Sequence, residues 1–94
     1  MAKLTSDQVR GRLSKAAGWS LNDAGEITKT FELSGFPQAV MFVNAVGLFA
    51  EAAGHHPDIV IKYRRVSLSL STHDEGGLTD KDFDLAAKID GLGA

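Results

Sequence analysis

The sequence predicts an α+β domain of order αββαββα, a four-stranded antiparallel sheet with three helices packed on one face. Two hairpin-like segments alternate with three stretches of helical periodicity, and Val66, Leu68 and Leu70 alternate with Ser67, Ser69 and Ser71 as in a half-buried strand. All of this fits within 94 residues, which suits one domain (residues 1–94). A sheet this small needs only one apolar side covered, so the helices are expected to share a face.

Thr5 followed by Gln8 reads as a capping box, and Val9, Leu13, Ala16 and Ala17 recur on one helical face up to a stop at Gly18. Trp19 to Leu21 reads as a strand, Asn22-Asp23-Ala24-Gly25 as its turn, and Ile27, Phe31 and Leu33 as the apolar side of the returning strand. Ser34-Gly35-Phe36-Pro37 supplies an N-cap with proline in the first turn, opening a long helix from about Gly35 to Ala53 that Gly54 ends. Its stripe of Ala39, Phe42, Val43, Val46, Ala50 and Ala53 faces a core. Val40, Met41 and Leu48 carry apolarity round the cylinder, which predicts a second buried side against another subunit.

Asp58 to Tyr63 and Arg65 to Ser71 read as paired strands turning near Arg64. His73 to Gly77 reads as a loop, and Thr79 with Asp82 opens a last helix carrying Phe83, Ala86, Ala87 and Ile89. Fraying is expected only at residues 1 to 4 and 91 to 94.

Ten basic against twelve acidic residues leave a net charge of −2, too little to draw the chain to nucleic acid or anionic lipid. With no cysteine, disulfides, thiolate metal sites and a cysteine nucleophile are excluded. The opening Met-Ala-Lys-Leu-Thr-Ser-Asp is not expected to act as a signal peptide, and no apolar run is expected to reach the roughly 20 residues that span a bilayer. A soluble cytoplasmic protein, stabilised by homo-oligomer formation because its core is small, is the expectation.

The chemistry-bearing residues cluster. His55-His56-Pro57 and His73 bracket the second hairpin, whose strands run out and back, so its two ends lie side by side. Imidazole, with an unperturbed pKa of about 6.5, both gives and takes protons near neutrality. Three converging imidazoles therefore suggest acid–base chemistry or a metal; the bland alternative is polar residues at element ends. Glu51, Asp58, Asp74 and Glu75 lie near in sequence, but no His-Glu-x-x-His spacing appears and no metal is expected. Ser69 and Ser71 lack a Gly-x-Ser-x-Gly elbow and fit a wetted sheet face, while Gly76-Gly77 lacks the companions of a phosphate loop and fits loop geometry.

Glu51-Ala-Ala-Gly-His55-His56-Pro57, then Tyr63, His73 and Asp82 at their spacings, resembles the signature of the pterin-4a-carbinolamine dehydratases. Gly18-Trp19, Phe31 to Leu33 and Leu70-Ser71-Thr72-His73 extend the likeness over nearly the whole chain. The resemblance implies helices on one side of a four-stranded antiparallel sheet, the same architecture that periodicity predicts. It implies dehydration of the 4a-hydroxy adduct formed by aromatic amino acid hydroxylases to a quinonoid dihydropterin, with no metal or organic cofactor.

By that resemblance His55 and His73 are proton donors to the hydroxyl on the two ring faces, and His56 holds the pterin and can act as base. Pro57 and Thr72-His73-Asp74 would line the site and offer backbone groups. Trp19 would pack near the ligand or simply in the core, and Glu51 would orient a histidine or merely end its helix. Tyr63 and Asp82 read as structural, Asp82 as the third residue of a helix. Ile59 and Val60 depart from the aromatic residues common in animal relatives, and those relatives' homeodomain partner finds no motif here. The expected partners are the pterin substrate and further copies of the chain, as homodimer or homotetramer. Competing readings are a dehydratase-like assembly factor or regulator, and action on another pterin such as one in molybdenum-cofactor metabolism.

Overall fold

The computed structural model describes residues 2–93. It consists of α1 (Ser6–Leu13), β1 (Ser20–Leu21), β2 (Ile27–Glu32), α2 (Phe36–Ala53), β3 (Asp58–Lys62), β4 (Arg65–Leu70), a single 3₁₀ turn at His73–Glu75, and α3 (Asp80–Asp90). The α+β class and the αββαββα order are those predicted. The sheet is antiparallel throughout with strand order β1-β2-β4-β3, so the two hairpins join through β2 and β4. Ile27 pairs with Leu70 and Phe31 with Val66, which places the apolar residues of both strands on one face.

That face is the core. Ile27, Phe31, Val66, Leu68 and Leu70 meet Ala39, Phe42, Val46 and Ala50 of α2 and Leu85, Ala86 and Ile89 of α3, with Val9 of α1 in the same cluster. The opposite face is a hydroxyl ladder, in which Thr30 Oγ1 meets Ser67 Oγ at 2.9 Å and Ser69 donates to Thr28. The alternation of Val66 to Ser71 therefore separates the helix-covered side from the wetted side, as the period of two requires.

Several boundaries differ from expectation, each for a local reason. The first helix stops at Leu13 instead of running to Gly18, because Lys15 and Ala16 take i→i+3 bonds to Arg12 and Leu13 that tighten the chain into turns. Of its predicted apolar stripe only Val9 is buried. Gly35, with extended backbone, caps α2 in place of Ser34 and makes no side-chain cap bond. Leu4 is not frayed: its N–H bonds the Leu78 carbonyl at 2.8 Å and its side chain packs on the core. Leu92 packs there too, while Met1 and Ala94 lie outside the described residues. Both capping boxes, Thr5 with Gln8 and Thr79 with Asp82, are formed.

By length and composition alone α2, 18 residues of mean hydropathy 1.3, is apolar enough to cross a membrane, a test that the core helix of a globular domain also passes. One side of it is accounted for by the sheet. The other exposes Phe36, Val40, Met41 and Leu48, so the wide apolar arc read from the sequence is left uncovered in the monomer. At the tip of the second hairpin Tyr63 takes a φ of +54°, a left-handed conformation that is uncommon for a residue with a side chain.

Candidate active site

The site forms where α2 hands over to β3. Gly54 is left-handed (φ 62°, ψ 32°), and the N–H groups of Gly54 and His55 bond the carbonyls of Glu51 and Ala50, the two bonds of a Schellman ending. A residue with no Cβ makes that reversal without strain. His55 is thereby turned under the sheet end and buried, while His56, next along, stays exposed. The ladder pairs Asp58 with Ser69, so the His55-His56 loop lies beside the Ser71–His73 segment that leaves β4. His55, His56 and His73 line one hollow of about 200 Å³, together with Gly54, Ser71, Thr72, Asp74 and Lys81.

Beneath it lies a buried polar network. His55 Nε2 sits 2.5 Å from Asp82 Oδ1; Asp82 Oδ2 accepts from the Thr79 N–H and the Thr72 hydroxyl, both at 2.9 Å. Thr72 spends its single proton on Asp82, so the 2.8 Å contact with Thr79 must be donated by the Thr79 hydroxyl, which in turn accepts from the Lys81 N–H. The directions of the whole chain are thus set. Thr72, Thr79 and Asp82 are all buried, and no buried side-chain polar atom among the described residues lacks a partner.

The network also sets the tautomer of His55. An ionised carboxylate only accepts, so Nε2 must carry a proton toward Asp82. Nδ1 has no hydrogen-bond partner among the described residues, and since none of the buried atoms is unsatisfied it must reach solvent. The exchangeable position of His55 is therefore Nδ1. His56 is held more loosely, with Nε2 2.8 Å from Glu51 Oε1 and both side chains largely exposed. The His73 ring is exposed and makes no hydrogen bond with the described residues, which leaves both nitrogens available.

The residues singled out in the sequence separate into groups. The histidines, Thr72 and Asp74 line the hollow, and Glu51 stands behind His56. Pro57 is half-buried next to the hollow but outside its lining. Thr72 has its N–H bonded to Gly77, its carbonyl accepting from Glu75 and Gly77 and its hydroxyl donating to Asp82, so within the Thr72-His73-Asp74 segment its own polar groups are already engaged inside the protein. Trp19 lies in the core, edge-on to Phe31, and its indole N–H donates to Asp90 Oδ2 at 3.0 Å. Asp90 ends α3 while Asp82 is near its start, about 12 Å apart along the axis, so Trp19 does not share the hollow.

Sequence reasoning missed two residues. Asp82 was read as a cap alone, yet it serves the helix and His55 together. Lys81 lines the hollow from the first turn of α3. The Thr79-x-x-Asp82 box placed both at a helix start, but nothing local shows that this start abuts His55, 27 residues earlier.

Comparison with known proteins concerns the chain as a whole. A family model described as pterin 4 alpha carbinolamine dehydratase matches residues 2–92. The chain belongs to that family. It is 58% identical over 91 residues to a relative from Roseiflexus castenholzii, covering 96% of this chain and 97% of that one, and 48% identical over 92 residues to one from Sulfurisphaera tokodaii, covering 98% of each. Both carry the pterin-4-alpha-carbinolamine dehydratase name provisionally. It is also similar to a solved structure named transcriptional coactivator/pterin dehydratase, from Brucella melitensis, with a TM-score of 0.93 and 32% identity over 98% of this chain and 99% of the other.

Proposed function

We propose that the protein dehydrates 4a-hydroxytetrahydropterin to quinonoid dihydropterin and water, recycling the cofactor of an aromatic amino acid hydroxylase. The observation that carries this is the hollow where three imidazoles meet, one of them locked through Asp82 with Nδ1 open. In the reaction the C4a–O bond breaks, the departing hydroxyl takes a proton to become water, and N5 gives up its proton as the N5–C4a double bond forms. His55 at Nδ1 and His73 supply protons to a hydroxyl on either ring face, and His56 receives the N5 proton. Asp82 balances the charge that His55 carries while it holds both protons. The family name supports a pterin as substrate, and a cytoplasmic setting fits this reading.

Enzymically generated 4a-hydroxytetrahydropterin, followed to quinonoid product, tests it. His55→Ala and His73→Ala are expected to lower turnover by about 10²-fold or more. His56→Ala should lose less, since that ring is solvated and loosely tethered. Wild-type turnover no faster than buffer would shift the reading to a regulatory or assembly role, which the coactivator in the Brucella neighbour's name favours.

The same reading includes a homodimer or homotetramer. Leu48 on the outer face of α2 is 73% exposed, and β3, an edge strand, exposes Ile59, Val60 and Ile61, whereas natural edges are usually blunted by charge. Leu48→Glu is expected to change monomer stability by no more than about 0.5 kcal/mol yet lower the mass seen by light scattering. Wild type running as a monomer at every concentration would remove the oligomer from the proposal.

A further inference from the structure

A second, larger hollow of about 580 Å³ adjoins the histidine site. Ser71 and His73 line both, so the two hollows meet at this segment. The far wall of the larger is one face of α1, from Ser6, Val9 and Arg10, and its floor includes Leu21 and Leu78. No acidic side chain lines it, and its charged members are Lys3 and Arg10. Arg10 is already paired with Asp7. Lys3 makes no ion pair among the described residues, so its charge is uncommitted.

Lys3 is also positioned. The Leu4 N–H to Leu78 carbonyl bond pins the chain beside it, and its methylene stem lies over Gly77, where an added Cβ would come within 2.8 Å of Lys3 Cε. A glycine at 77 thus leaves room for the lysine stem where it lies, and a side chain there would displace the flexible end of Lys3.

Resting on the dehydratase reading, we propose that this hollow is the subsite for the substituent on pterin C6, and that Lys3 selects substituents carrying an anionic group. In the pterin ring C6 is two bonds from C4a, through N5. A ring whose C4a hydroxyl meets His73 therefore starts its C6 chain where the two hollows meet, and the larger hollow is the adjoining space that takes it. The smaller one, already lined by three imidazoles and Lys81, holds the ring. An unpaired ammonium in a hollow that no carboxylate lines favours a phosphate or carboxylate at the end of that chain.

The test compares binding of 7,8-dihydroneopterin and its 3′-monophosphate, which share ring and chain and differ in the phosphate, to full-length wild type, Lys3→Ala and Lys3→Arg by calorimetry. Wild type is expected to hold the phosphate ester at least about fivefold more tightly at low salt. Lys3→Ala should equalise the two by weakening the ester, Lys3→Arg should keep the preference, and added salt should erode it. Equal affinities in wild type, or a preference that survives Lys3→Ala, overturns the subsite while the ring site stands. Failure of both compounds to bind overturns the subsite and the pterin reading together.

Discussion

Asp82→Asn should yield a folded protein whose turnover of the 4a-hydroxypterin falls by about 10²-fold or more. In the native site Oδ2 is satisfied by the Thr79 N–H and the Thr72 hydroxyl, leaving Oδ1 for His55 Nε2. Asparagine can keep its oxygen toward the two threonines, but it then presents an NH₂ group to Nε2. That nitrogen must become an acceptor, the neutral ring carries its proton on Nδ1, and the doubly protonated ring loses its partner. Stability should drop by only about 1 to 2 kcal/mol, because a charge-assisted bond is replaced by a neutral one. Nitrogen NMR of the His55 imidazole separates positioning from mere support: the proton is expected on Nε2 in wild type and on Nδ1 in the variant. An unchanged tautomer with normal turnover would show that Asp82 only caps its helix. Asp82→Ala should behave differently, losing about 3 to 5 kcal/mol in denaturant, since the Thr79 N–H, the Thr72 hydroxyl proton and His55 Nε2 all lose their acceptor in a buried space.

Leu68→Ala is the other change of large expected effect. Leu68 is fully buried in the inner strand β4, with Lys29 of β2 and Ile59 of β3 as its register partners. Truncating it removes transfer energy and leaves a cavity that two flanking strands keep from collapsing, at a cost of about 3 to 4 kcal/mol. A domain of this size has only about 5 to 15 kcal/mol in total, so the melting temperature should fall by roughly 15 to 25 °C. Ser67→Ala, one residue earlier on the hydroxyl face, should cost no more than about 0.5 kcal/mol. Urea melts at a fixed protein concentration compare them. Similar costs for the two would mean that the faces of β4 are wrongly assigned.

The order of elements was legible because each rests on short-range physics. The serine alternation of β4, the capping boxes at Thr5 and Thr79, and the Gly54 stop before Pro57 depend only on neighbours within a turn or a pleat. The Ser34 cap and the length of the first helix differ from expectation because neighbouring residues offer alternative local geometries: Gly35 takes the extended cap position, and i→i+3 bonds at Lys15 and Ala16 end the helix early.

The convergence of His55, His56 and His73 followed from hairpin topology, since an antiparallel pair of known length brings its ends together whatever the side chains. What the fold alone decided is the pairing of those groups with remote ones. The start of α3 meets the end of α2, which makes Asp82 a partner of His55, and the N-terminal segment crosses Gly77, which brings Lys3 into a hollow that His73 also lines. Trp19 went to the core by the same logic, its indole N–H satisfied by Asp90. Chain-local patterns encode which faces are apolar, but which polar atoms meet across elements depends on how whole helices dock, and no neighbouring residue carries that information.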